Sequence, residues 1–407
     1  MAITITSAPN GLIPKIVGQP IVYEFTSNSV DIQYCIVEIL YNGVRVSARS
    51  VQPNLGTTDE FSVNTSEDVE MQLFFELKAI GSSGVITDST NQGETKIKVY
   101  EVDLNPTTGL LETDYDPDDA NNSNYDYQSG DLIVCNWKES HFDLNNFDIE
   151  DYRLTADTKL FLTNSPYKKN IELGSDEFIG ILFHSSAPTQ NFRLQIFTYD
   201  ASDALLNTDF INVTDWDIPY GVKPENPYLD IAVGTQNLIN EGISLTNVAY
   251  YTIQMINNSG DVSEVKRFNI VEACDYDTRV HWVNKYGKQD SYTFKGNKSE
   301  SLDTAASVYQ KALPQTYNSS DRGFGVIQNI STRNFTAYTN TIGKDEYNFI
   351  STMLFNKMAW VEIEDSYYPI IIEDGTTFIR DERNVPTQFV LNYSFANKDK
   401  GLRGWMM

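Results

Sequence analysis

Three histidines and three cysteines in 407 residues leave little material for metal or nucleophilic chemistry. Cys35, Cys135 and Cys274 are far apart and form no CxxC pair, which suits neither a zinc ribbon nor a secreted disulfide scaffold. Each is expected as a small buried residue on a strand. His184 ends an apolar strand with no carboxylate cluster placed to orient it. His281 stands beside Trp282 in a strand pattern, where packing is expected ahead of catalysis or metal binding. Asp114, Asp116 and Asp118 have the opening spacing of a calcium loop. An EF-hand needs Gly at its sixth position and Glu at its twelfth, where Asp119 and Tyr125 stand, so a solvated acidic loop is expected. The turn Asp321-Arg322-Gly323-Phe324-Gly325 lacks the Lys-Ser/Thr of a phosphate loop. No GxSxG elbow, no GxGxxG after a strand and no HExxH occurs. Carboxylate pairs are uninformative, because 56 acidic residues will place some at the roughly 5–9 Å that glycosidases use. The expectation is no catalytic residue, no cofactor and no metal.

The bulk composition points the same way. The chain is 41% hydrophobic and 12% aromatic, enough for a sizeable core and for two to four domains at roughly 100–200 residues each. Its 24 Tyr and 21 Phe favour pleated, half-buried surfaces. A net charge of −26 repels phosphate backbones, so direct nucleic-acid binding is not expected. The acidity keeps a β protein soluble and blunts edge pairing, and it suits a basic partner. No run approaches the roughly 20 apolar residues that span a bilayer, so membrane insertion is not expected. The N-terminus, without a basic start or a long apolar core, does not read as a signal peptide, which places synthesis in a cytoplasm.

Strand patterns dominate the elements that must carry these residues. Residues 1–102 read as a β-sandwich, with strands at Ile21–Phe25, Tyr34–Gly43, Met71–Ile80 and Thr95–Val102. Asn42-Gly43 is its strongest hairpin signal. Residues 103–130 read as an acidic linker or loop. Residues 131–222 read as a second β domain, including Lys159–Pro166, and residues 223–298 as a third. The third closes on the hairpin from Cys274 to Phe294, in which Gly287 supplies a positive φ. Residues 299–407 read as a small α+β domain, its helix placing Tyr347, Ile350, Met353 and Leu354 at helical spacing. The fold class expected is mainly β: several immunoglobulin-like or β-sandwich modules with a small α+β C-terminal domain. The apolar tip Trp405, Met406 and Met407 docks on a neighbouring subunit or packs on its own domain.

Several motifs occur in a fixed order: LIPKIVGQPIVYEF and YCIVEILYNGVRV, then KLFLTNSP, IPYGV, VHWVNKYGKQDSYTF, and the C-terminal helix followed by YYPIIIEDG. Together they resemble virion structural proteins of tailed bacteriophages infecting Bacteroidota, particularly tail-associated components. The resemblance implies a non-enzymatic tail subunit (collar, ring, adaptor or baseplate) located in the virion and acting through homo-oligomers and contacts with other virion proteins. Trp282, Tyr286, Trp405, Met406 and Met407 are the candidate interface residues. The alternative is a receptor- or carbohydrate-binding fibre subunit, with Trp216, Trp282 and Trp360 as platforms for a host surface glycan. A glycan-cleaving enzyme stands third.

Overall fold

The protein was analysed as a computed structural model, which describes residues 3–8, 15–16, 20–29, 31–87, 92–113, 115, 127–128, 132–135, 151–154, 158–183, 192–213, 228–257, 260–274, 276–310, 316, 324–355, 358–373 and 388–396. The chain forms two compact units. One comprises residues 1–168, 174–270 and 284–289; the other comprises 169–173, 271–283 and 290–407.

Asn42 and Gly43 both adopt left-handed backbone, at φ 47° and 79°, so strand Ile32–Tyr41 turns tightly onto Val44–Val51. Cys35, Val37 and Ile39 pack with Ile97 and Val99 of the adjacent strand Gln92–Leu104. Against them lie Tyr23, Phe25, Phe61 and Val63 of a separate three-stranded sheet, with Phe25 and Phe61 stacked at 5.4 Å. Two apolar sheet faces closed on each other make the first sandwich. A second pair of sheets completes this unit. One sheet contains Arg153–Leu154, Phe178–Phe183, Tyr228–Ala232 and Val85–Thr87 in that order. The other includes Lys266–Val271, Tyr250–Asn257, Arg193–Tyr199 and Leu205–Asn212. Tyr251, Ile253 and Met255 alternate inward along its second strand, and the Tyr251 hydroxyl donates to the Val233 carbonyl at 2.7 Å.

The other unit is one seven-stranded sheet covered by a helix. The order is Gln289–Phe294, Thr278–Val283, Ala359–Ile363, Ser366–Ile372, Val390–Phe395, Phe324–Tyr338 and Lys298–Gln310. Helix Lys344–Ser351 starts after the extended Gly343, carries Asp345 and Glu346 in its first turn, and continues as a 3₁₀ turn to Phe355. It buries Tyr347, Phe349, Ile350 and Met353 against Trp282, Phe294, Val361 and Leu391. The chain is thus mainly β, built as sandwich modules with a small α+β portion at its C-terminal end, as its strand patterns indicate. Among the described residues no helix is long and apolar enough to cross a membrane.

Four expectations need correction. Module boundaries do not follow the sequence blocks: Leu132–Cys135 joins the N-terminal sheet beside Gln92–Leu104, and Val85–Thr87 leaves it to pair with Tyr228–Ala232. The hairpin strand Thr278–Val283 likewise pairs with Ala359–Ile363, across the expected break at 298. The 103–130 stretch is not all loop; Leu111–Thr113 and Tyr127–Gln128 both pair with Gln92–Leu104. Met71–Ile80 and Lys159–Pro166 are not strands. Their backbone groups find side-chain or isolated partners in place of a ladder: Lys78 N–H donates to Gln289 Oε1, and the Leu162 carbonyl accepts from Asn284 Nδ2. Cys35 is buried on its strand, but Cys274 is exposed.

Candidate functional site

Strand pairing outruns the sheet at one edge of the helix-covered unit. Lys298–Gln310 pairs along its whole length with Phe324–Tyr338, through one bulge between Ser307 and Val308. The next strand, Val390–Phe395, reaches only Asn334–Tyr338. Beyond that point, among the described residues, Leu302–Gln310 and Phe324–Arg333 form a two-stranded arm roughly 30 Å long at 3.3 Å per residue. Every residue of Lys298–Gln310 is exposed, and Leu302, Val308, Tyr309, Phe324 and Ile327 present apolar side chains on the arm. Edges are ordinarily blunted by charge or proline, yet neither occurs from Thr304 to Gln310. An isolated two-stranded ribbon is marginal in water, so a third strand or a covering face would stabilise it.

A second feature, in the sandwich unit, is buried and charged. Lys78, Asp230 and Lys288 are 4%, 0% and 1% exposed. Both ammonium groups reach the same oxygen, Asp230 Oδ2, at 3.2 Å from Lys78 and 3.0 Å from Lys288. Lys288 Nζ also lies 3.5 Å from the centre of the Tyr228 ring. The tight turn 284–289 delivers it: Asn284 Oδ1 accepts from the N–H groups of Tyr286 and Lys288, and Gly287 takes φ 70°. Around this centre the Tyr228 hydroxyl donates to the Tyr286 carbonyl, and the Tyr286 and Tyr152 hydroxyls meet at 3.0 Å. Gln92 exchanges two hydrogen bonds with the Tyr228 backbone.

Two polar groups sit in the other unit. His281, fully buried, bonds Glu362 through Nε2 at 2.7 Å, with Arg279 Nε 3.4 Å from the same carboxylate oxygen. Burial pushes the Glu362 carboxyl up, but the His281 bond and the Arg279 charge prevail and hold it below the ordinary range. Arg279 also donates to Ser291 and Thr293. Separately, Lys295 bridges Glu172 at 2.7 Å and Asp277 at 3.0 Å. Burial and the bond to Asp277 raise the Glu172 carboxyl. Asp277 is pushed up by burial but held low by its bonds from Glu172 and Lys295. The two carboxyls titrate as a pair, with Glu172 the weaker acid of the two.

The residues singled out by sequence distribute unevenly. Trp282 is fully buried under the helix, 5.2 Å from the Phe349 ring, and Tyr286 is buried in the tyrosine cluster, so neither offers a surface for a partner. Their hairpin is interior on both faces, which alternation alone does not reveal. Trp282 is thereby removed as a sugar platform too, while Trp360 is half-buried. Trp216, Trp405, Met406, Met407, His184 and the Asp114–Asp118 run lie outside the described residues. His281 is a core residue held by a carboxylate. Sequence reading passed over Lys78, Asp230 and Lys288, which lie 58 to 210 positions apart and meet only in the fold. The available signal was a lysine in the apolar stretch Met71–Ile80 and an aspartate inside YLDIA.

No protein-family model matches the chain, and no curated protein matches it. Among solved structures, the fibronectin(III)-like modules of Clostridium thermocellum CbhA are similar at 9% identity and a TM-score of 0.16, covering 66% of this chain and 93% of theirs. A complex of Dpr2 Ig1-Ig2 with DIP-Theta Ig1-Ig3 is similar at 7% identity and a TM-score of 0.15, covering 67% and 100%. Both contain β modules, and at these scores neither carries an argument about function.

Proposed function

We propose that this protein is a non-enzymatic structural subunit of a bacteriophage tail that works by oligomeric assembly, its exposed arm laid against a second copy of the chain. The phage setting rests on the ordered sequence motifs; the assembly mode is supported by one observation, the ribbon Leu302–Gln310 with Phe324–Arg333, which no third strand joins among the described residues. A second copy is the fitting occupant for a reason of charge. Two chains of −26 repel, but within the arm strands Lys298 and Arg333 balance Glu300 and Asp303, so the arm is where like molecules meet with least repulsion. Unpaired backbone groups along Lys298–Gln310 add a strand by ladder bonds, and the apolar side chains supply the area.

The test is to replace residues 302–333 with a short turn and to compare both proteins by light scattering and negative-stain microscopy. The full chain is expected to form closed oligomers, and the shortened one to stay monomeric with unchanged thermal unfolding. A full chain that stays monomeric at high concentration, or a shortened chain that still assembles, overturns the proposed mode. Antibody against the protein is expected to label particle tails.

A further inference from the structure

We propose that Lys288 and Asp230 join covalently, through an intramolecular amide between Lys288 Nζ and Asp230 Cγ formed with loss of one water. Three observations carry this. The reacting groups are already in contact, with Nζ 3.0 Å from Oδ2 and both side chains at most 1% exposed. The path between them is built. Gly180 is the cross-strand neighbour of Asp230, and a Cβ there would stand 2.5 Å from Lys288 Cγ and 2.9 Å from Leu162 Cβ. A side chain at 180 would therefore block the lysine stem, and glycine leaves the passage open. Finally, Asp230 Oδ1 has no hydrogen-bond partner among the described residues, although the carboxylate is wholly buried.

The chemistry balances without an added reagent. The step needs one proton moved within the pair, from the Lys288 ammonium to Asp230 Oδ2, which leaves a neutral amine and a neutral acid. The amine lone pair attacks Cγ, and the Cγ–Oδ2 bond breaks. Oδ2 departs as water, carrying the transferred proton and a second one shed by the attacking nitrogen. The net change is one ammonium and one carboxylate to one amide and one water. Lys78 Nζ, 3.2 Å from Oδ2, is placed to donate a hydrogen bond to the oxygen that leaves and so to ease its departure. The turn 284–289, fixed by Asn284, holds Nζ against the carboxyl so that the encounter is intramolecular. The product would tie the turn to strand Tyr228–Ala232 and constrain the unfolded chain between 230 and 288, much as a disulfide does.

The experiment is intact-mass spectrometry of the purified full-length protein after denaturation, followed by peptide mapping. The expected mass falls short of the sequence mass by one water, and digestion yields one branched peptide joining the segments that hold Asp230 and Lys288. In Lys288→Arg the deficit disappears. In Lys78→Met the deficit is expected to develop more slowly after synthesis. A wild-type mass equal to the sequence mass, or a branch from Asp230 to Lys78, overturns the proposal. Because the decisive measurement is on the unaltered protein, a variant that fails to fold does not blur it.

Discussion

Two hairpins, Thr278–Val283 with Gln289–Phe294 and Lys298–Gln310 with Phe324–Tyr338, are separated only by residues 295–297, yet their surroundings are opposite. Each joins two strands that follow one another in the chain and lie side by side in the same sheet. In the first, both strands are buried on both faces, and its turn carries Tyr286 and Lys288 into an interior. In the second, the outer strand is exposed throughout and, among the described residues, pairs only with the inner strand, whose Phe324–Arg333 stretch has no other neighbour. What separates them is supply of neighbours. The first meets a helix, a third strand and a charged counterpart; the second outgrows its sheet. In the proposed assembly the first would hold a subunit together and the second would join it to a neighbour.

That contrast can be broken from either side. The largest effect is expected from Asp230→Ala, which strands two buried ammonium groups; loss of a buried partner costs about 3–5 kcal/mol, read by urea unfolding. Trp282→Ala opens a cavity under the helix and should cost a similar or slightly smaller amount, about 3–5 kcal/mol. Gly180→Ala forces Lys288 and Leu162 aside, an overpacking penalty of about 1–3 kcal/mol in the same measurement.

A smaller, pH-dependent effect is expected at Glu362. Its folded-state carboxyl is held low, so the stabilisation is present above the ordinary glutamate value of about 4.3 and lost as pH falls below it. Melting temperature measured against pH should drop through that range, and Glu362→Gln should flatten the drop. Smallest of all, Leu302→Ser or Ile327→Ser should change monomer unfolding by no more than about 0.5 kcal/mol while weakening self-association seen by light scattering. If either surface change instead destabilises the monomer like Trp282→Ala, the two hairpins do not differ in role.

Much of the local structure was legible. Asn42-Gly43 announced its turn because few residues tolerate left-handed backbone, and Gly287 did so within a longer connection. Tyr347, Ile350 and Met353 announced the helix because its packed face repeats every 3.6 residues. Trp282 and Tyr286 were misplaced at a surface because large aromatics on alternating positions look alike whether a sheet is covered on one face or on both. Leu302–Gln310 drew no notice for the converse reason: its small and polar residues read as an ordinary half-buried strand.

By itself the sequence determined the β class, the tight turns, the C-terminal helix and an acidic surface, since each follows from residues near one another in the chain or from composition. Only the tertiary structure decided which strands share a sheet, which hairpin is enclosed and which protrudes. It alone brought Lys78, Asp230 and Lys288 onto one oxygen. Those outcomes depend on pairings between distant segments, where a backbone donor can be satisfied by many partners and the choice is made by packing of the whole.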